Sequence, residues 1–314
     1  MKKVINIAII GYGNIGKKRF DNLLKIKEFK IIIKYIIDIK KPKNISKKII
    51  FFNDWRQIIT CKIDLIIIAT PTKNAEIITK ELCGKFNLLI EKPITTKENL
   101  LKKIIKTSNE NNKILKVGYN LRFDSGLAKA KELISKIGNI YYIKISYANG
   151  VAKTNTNNVG SLIDMGTHSI NLIEFFINKS NIKVDRSISQ KNEFLKKNKI
   201  DNGFSILKHN KILIFMHHGF CTWKNDFNFE ISGSKGFVRV DSLPKWGRQT
   251  VSLGIRKYPS GIPKIKNYYF YKDMSWKNEL TYVLDQLYNN KKNIKLINNE
   301  GLNTIKIINS IQRN

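Results

Sequence analysis

The chain has 314 residues, 42% of them hydrophobic, which is enough for two domains with cores of their own. Its net charge of +33 would suit a nucleic-acid partner, but the surplus is Lys spread over the whole length, without an Arg-rich stripe or a recognition motif. Cys61, Cys83 and Cys221 stand too far apart for a disulfide framework or a zinc knuckle, and no apolar run reaches membrane-spanning length. A cytoplasmic protein with neither a membrane nor a nucleic-acid partner is therefore expected.

The opening MKKVINIAII meets Gly11 too early to act as a signal peptide, and its apolar part reads as a strand. Short apolar runs then recur at Val4 to Ile10, Ile31 to Ile37, Leu65 to Ala69, Phe86 to Ile90 and Lys113 to Val117. Between them, Ile15 to Ile26, Ala75 to Cys83 and Lys97 to Asn109 carry helical spacing. Alternation of this kind predicts an α/β, doubly wound parallel sheet of the Rossmann type over residues 1–119.

Beyond Gly118 the runs lengthen and alternate: Ile140 to Tyr147, Phe204 to Lys208, Ile212 to His217, Phe227 to Ile231 and Phe237 to Asp241. Tight turns are expected at His209-Asn210 and over Gly233 to Gly236, and helices over Leu162 to Phe176 and Trp276 to Tyr288. Residues 120–314 are thus predicted as a C-terminal α+β domain with a large open mixed or antiparallel sheet. An open sheet offers a face for self-association, so a homodimer or homotetramer is expected.

The strongest local signal is Gly11-Tyr12-Gly13-Asn14-Ile15-Gly16, which follows a strand and opens a helix. Gly11 permits the tight turn, Gly13 lets the backbone approach a pyrophosphate, and Gly16 lets helix and strand pack closely. The helix N-terminus then faces the anion. Asp38 ends the second strand 22 residues beyond Gly16, where an acid can hydrogen-bond the ribose hydroxyls. NAD is favoured over NADP because Asp38 would repel a 2′-phosphate, a preference that Lys40 and Lys41 soften.

Open parallel sheets bind ligands beyond the carboxyl ends of their strands. Those ends carry Thr70-Pro71-Thr72, Glu91-Lys92-Pro93 and Gly118-Tyr119-Asn120. Thr70, Pro71, Glu91 and Lys92 are candidate cofactor contacts, and Tyr119, Asn120, Arg122 and Asn171 candidate substrate contacts. On the predicted Leu162 to Phe176 helix, Asp164 and His168 are spaced i, i+4 on one face with Asn171 beside them. His217 and His218 are adjacent and point to opposite faces of a strand, so no metal site is expected. Trp223 and Trp276 serve equally well as stacking surfaces for a sugar or as packing residues.

With the glycine loop, Glu91-Lys92-Pro93, Gly118 to Phe123, Asp164 to His168 and Glu230 to Gly236 standing in order, the chain resembles the Gfo/Idh/MocA oxidoreductases. The resemblance spans nearly the whole length. It implies NAD(P)-dependent hydride transfer at a secondary alcohol of a sugar, inositol or nucleotide sugar, with Lys92, Asp164 and His168 as the catalytic residues. His168 would take the hydroxyl proton, Lys92 would stabilise the alkoxide, and Asp164 would support the imidazole. An internal redox cycle on a tightly held cofactor and a non-enzymatic dinucleotide-binding regulator are the alternatives. Asn74, Asp124 and Val159-Gly160-Ser161 depart from the family's usual pattern and leave the substrate open.

Overall fold

The computed structural model describes residues 4–43, 45–150, 159–177, 181–192, 195, 199–259, 261–288 and 294–313. The chain divides into two units, residues 1–120 with 276–303, and residues 121–275 with 304–314.

In the first unit, strands β1 (Val4–Ile10), β2 (Lys30–Ile37), β3 (Ile50–Phe52), β4 (Leu65–Ile68), β5 (Leu88–Glu91) and β6 (Leu115–Gly118) form one sheet in the order β3-β2-β1-β4-β5-β6. Every pairing is parallel. Helices α1 (Asn14–Leu24), α2 (Thr72–Leu82) and α3 (Glu98–Glu110) make crossovers. Ile66, Ile67, Leu88 and Leu89 have no exposed surface, because strands in such a sheet are covered on both faces. Strand order reverses between β1 and β4, which sets the crevice of a doubly wound sheet beside Gly11 and Thr70.

In the second unit, helix α4 (Ser125–Leu133) leads to β7 (Ile140–Ala148), and helix α5 (Thr167–Ile177) precedes β8 (Lys183–Gln190). Strands β9 (Asn202–His209), β10 (Ile212–Gly219), β11 (Asp226–Gly233), β12 (Gly236–Asp241), β13 (Gln249–Ile255) and β14 (Lys264–Phe270) complete an eight-stranded sheet. Its order is β14-β13-β12-β11-β7-β10-β9-β8, with β10 parallel to β7 and the other pairs antiparallel. Ile143, Ile145, Ile214, Phe229 and Val240 bury one face against the helices, so the mixed open sheet expected from the alternation is present.

The chain closes with α6 (Ser275–Tyr288), α7 (Ile294–Asn299) and α8 (Leu302–Arg313). Here the structure departs from a single boundary after residue 119. Leu280, Val283 and Leu284 of α6 join the core of the first unit with Ile5, Ile7 and Leu23. Asn298 of α7 accepts from the Leu115 amide (2.7 Å) and donates to the Lys113 carbonyl (3.0 Å), extending the edge at β6. A periodic apolar face shows that a helix is covered but not by which sheet. The hairpin between β9 and β10 also turns one residue later than expected, on Asn210 with φ +53°, because His209 still pairs with Ile212.

Candidate functional site

At the end of β1, Gly11 takes φ +88° and its amide donates to the Ile37 carbonyl (2.8 Å). A Cβ on Gly11 would lie 2.7 Å from the Ala69 oxygen, and one on Gly16 would lie 1.9 Å from the Gly11 oxygen. Both glycines are therefore demanded by backbone packing. Gly13 differs: among the described residues a Cβ there meets nothing within 4 Å, and no side chain caps the α1 N-terminus that it precedes. Asn14 and Ile15 beside it are exposed. The Tyr12 amide donates to Asp38 Oδ2 (2.6 Å), and the Lys40 amide lies 3.3 Å from Oδ1, so the Asp38 carboxylate stands against the glycine loop.

Thr70, one residue before the Pro71 that leads into α2, has a buried hydroxyl with no hydrogen-bond partner among the described residues. An open cradle at Gly13, an uncapped helix end, a carboxylate at the end of β2 and an orphaned hydroxyl together fit a dinucleotide. Gly13, Asn14 and Ile15 would meet the pyrophosphate, and Asp38 the adenosine ribose.

Lys92 follows β5 and is half-buried, and its chain is held on both sides. Before it, the Glu91 carboxylate accepts from Arg19 Nε (2.8 Å). Arg19, with no exposed side-chain surface, also grips the fully buried Glu279 (2.6 Å) and lies over the Trp276 ring. Burial pushes the Glu279 carboxyl above its ordinary range, against the opposing pull of Arg19 and Lys116. After Lys92, the buried Thr95 hydroxyl donates to Glu76 (2.6 Å), which also pairs with Lys97 (2.8 Å). Those two hydrogen bonds, Lys97 foremost, hold the Glu76 carboxyl below its usual range. Tyr119 and Asn120 follow β6 and are 1% and 7% exposed.

In the second unit α5 is entered by a wide π-type turn over Leu162–Gly166, closed by the Thr167 amide on the Leu162 carbonyl. Asp164 in this turn is half-buried, and His168 in the first turn of α5 is 7% exposed. Asn171 is 1% exposed. Its side-chain oxygen accepts from Arg122 Nε, its carbonyl accepts from Arg122 Nη2 (3.2 Å), and its amide lies 3.5 Å from Thr304. Thr304 in turn donates to Glu174 (2.6 Å). The structure thus joins Arg122 and Asn171 directly and uses Asn171 to hold the arginine.

Two features escape sequence reasoning. Beneath the wide turn, Ser161 Oγ lies 2.9 Å from His218 Nδ1. Burial, then the neighbouring His217, lowers the His218 pKa to about 3, so the ring is neutral. His217, on the opposite face of β10, contacts Ser146 and Asn202 (2.9 Å each) and stacks on Phe204. The second feature is Tyr147, whose ring lies 5.9 Å from the His168 ring and whose hydroxyl accepts from Lys245 (3.0 Å). The only advance signal for it was the strand that carries Tyr147. Trp223 is 87% exposed, whereas Trp276 packs on Arg19. Among the described residues no group of His, Cys, Asp and Glu is placed to hold a metal ion.

Residues 5–119 match the oxidoreductase family with an NAD-binding Rossmann fold, and residues 127–239 match the GFO/IDH/MocA C-terminal domain. The chain belongs to the GFO/IDH/MocA oxidoreductase family. This family member is 28% identical over 190 residues to the uncharacterized oxidoreductase YrbE of Bacillus subtilis (strain 168), a stretch covering 56% of the chain and 55% of that protein. Its fold superposes on KijD10, a 3-ketoreductase from Actinomadura kijaniata solved with NADP and TDP-benzene, with TM-score 0.83 and 12% identity over 99% of this chain and 98% of that one. It also superposes on GenD2 from gentamicin A biosynthesis, solved with NAD, with TM-score 0.80 and 14% identity over 100% and 94%. At such identities the likeness to these two structures is one of fold. The family is one of oxidoreductases with an NAD-binding Rossmann fold, which residues 5–119 match here.

Proposed function

We propose that this protein is an NAD-dependent dehydrogenase or reductase acting on a secondary alcohol of a sugar, inositol or nucleotide sugar. The reading is carried by Lys92 in the first unit and supported by His168 in the second, each taken within its own unit. A half-buried lysine is held between two anchored residues at a strand end of the dinucleotide fold, and a buried histidine opens the helix of the second unit. Bound NAD supplies the hydride acceptor, and the protein's own groups handle the proton and the charge. The substrate hydroxyl gives its proton to the His168 imidazole as general base. The Lys92 ammonium stabilises the negative charge that develops on that oxygen. Asp164, one turn before His168, supports the imidazolium that results. Arg122, steadied by Asn171, is a substrate contact in this reading, and Asp38 favours NAD over NADP.

We also read the exposed face of the second sheet as a self-association surface, giving a homodimer or homotetramer in the cytoplasm. Phe204, Phe215, Ile188 and Leu213 stand 56%, 42%, 62% and 42% exposed on it, an apolar group that a second copy could cover.

The test of the catalytic reading is steady-state kinetics on whichever polyol, uronate or nucleotide sugar reduces NAD+ in a screen. Lys92→Met and His168→Asn should each lower kcat by roughly a hundred- to ten-thousand-fold. NAD dissociation constants should stay within about threefold, well under a tenfold change of ~1.4 kcal/mol. Near-normal turnover in either variant removes that residue from the chemistry.

A further inference from the structure

Strand β12 ends at Asp241, and the chain then reverses through Ser242, a non-glycine residue at φ +69°. A left-handed serine is strained and persists only where its surroundings impose it, as they do here. Its amide donates to the Phe227 carbonyl (2.8 Å), and its carbonyl accepts from the fully buried Gln249 (3.3 Å). Leu243, 1% exposed, anchors the next step, and a short helical turn over Pro244–Trp246 closes with the Trp246 amide on the Leu243 carbonyl (2.9 Å). Gly247 at φ +129° ends it. Lys245 therefore rides on a turn fixed at both ends.

That turn sets the Lys245 ammonium 4.5 Å from the centre of the Trp246 ring and 5.5 Å from that of Tyr147, whose hydroxyl takes one of its protons. Tyr147 is 4% exposed and touches Phe227, Trp246 and His168. Lys245 itself is exposed, and among the described residues it has no carboxylate partner. An ammonium has three donors. One is used by Tyr147, and two remain, in a setting where aromatic faces replace part of the competing water. Trp246 adds a half-buried ring of the kind that packs against the C–H face of a sugar.

We propose that Lys245, seated on Trp246 and on the Tyr147 whose ring neighbours His168, binds an anionic group of the substrate, a carboxylate or a phosphate carried on the sugar. This assignment rests on the reading of His168 as the residue that meets the substrate. The aromatic platform fixes the ammonium, and a fixed charge-assisted donor discriminates between an acid and its neutral counterpart.

The experiment is calorimetric titration of the protein saturated with NAD+, using glucose, glucuronate and glucose 1-phosphate as probes. At least one of the two anions should bind about tenfold or more tightly than glucose, as befits a hydrogen bond to a charged group. Which anion gains identifies the source of the charge. Lys245→Met, which keeps the aliphatic stem on the rings, should abolish that gain and leave glucose binding unchanged. Lys245→Arg should retain it, and raising salt from about 50 to about 500 mM should shrink it in the wild type. Equal binding of all three probes, no binding of any, or a preference that survives Lys245→Met overturns the proposal. Reduction of NAD+ is read separately: an intact anion preference without turnover of any alcohol would remove the dehydrogenase reading and leave the anion site standing.

Discussion

Single residues in the glycine loop carry different loads, although the sequence writes them alike. Gly16 packs so closely on Gly11 that an added methyl group must displace backbone, while Gly13 faces open space. Gly16→Ala should therefore destabilise the fold by about 1–3 kcal/mol, the cost of overpacking. Gly13→Ala should unfold at nearly the wild-type temperature yet bind NAD at least about tenfold more weakly, because the methyl group occupies the room left for the pyrophosphate. Thermal melting and NAD titration of both variants separate the two roles, and a Gly13→Ala protein that binds NAD normally would place the pyrophosphate elsewhere. The glycine motif itself was legible because its spacing is local and follows a strand. Lys245 and Tyr147 were not, because a lysine 98 residues from its tyrosine leaves no periodic mark, and sheet pairing with the turn after Ser242 brings them together.

At the scale of elements, the long apolar runs announced β1 and β2 almost to the residue, since buried parallel strands read as continuous Ile and Val. Strand β3 has only three residues, and the exposed Lys264, Lys266 and Asn267 of β14 break its apolar alternation, so neither was evident. The Arg19 network was equally hidden, because its partners lie 72 and 260 residues away. It ties α1 to the end of β5, where Lys92 begins, and to α6. A fully buried arginine between two carboxylates is expensive to break: Arg19→Met should cost about 3–5 kcal/mol, since it leaves two acids without their counter-charge. Glu279→Gln should cost less, because the amide oxygen can still accept from Arg19 and Glu91 still faces the guanidinium. Urea unfolding checks both, and an Arg19→Met protein within about 1 kcal/mol of wild type would show that the acids find another partner.

For the molecule as a whole, stability in acid is coupled to His218, beneath the turn that carries Asp164. Its Nδ1 faces the Ser161 hydroxyl, which in turn reaches the Ile200 carbonyl (3.4 Å), so Nδ1–H is the donor of the neutral ring. Nε2 is buried with no hydrogen-bond partner among the described residues, and a proton added there would be a charge without an acceptor. The folded pKa therefore falls from 6.5 to about 3, with burial the larger cause and His217 the smaller. Between those values the unfolded chain binds a proton that the native state refuses, so stability rises with pH. The contribution is complete above about pH 6.5 and is lost as the pH falls toward about 3, at up to ~1.4 kcal/mol per unit. His217, lowered in the same direction by its own burial, and carboxylates such as Glu76 add slopes of the same sign, so the wild type alone cannot isolate the ring. The difference between wild type and His218→Asn can. Its absolute size reflects the lost packing at any pH, but its change with pH belongs to the imidazole. Unfolding free energies measured from pH 7.0 down to about pH 4.5 should bring the two proteins closer by about 1.4 kcal/mol per unit once below about pH 6. A difference that stays constant over that range would mean that His218 accepts a proton inside the fold.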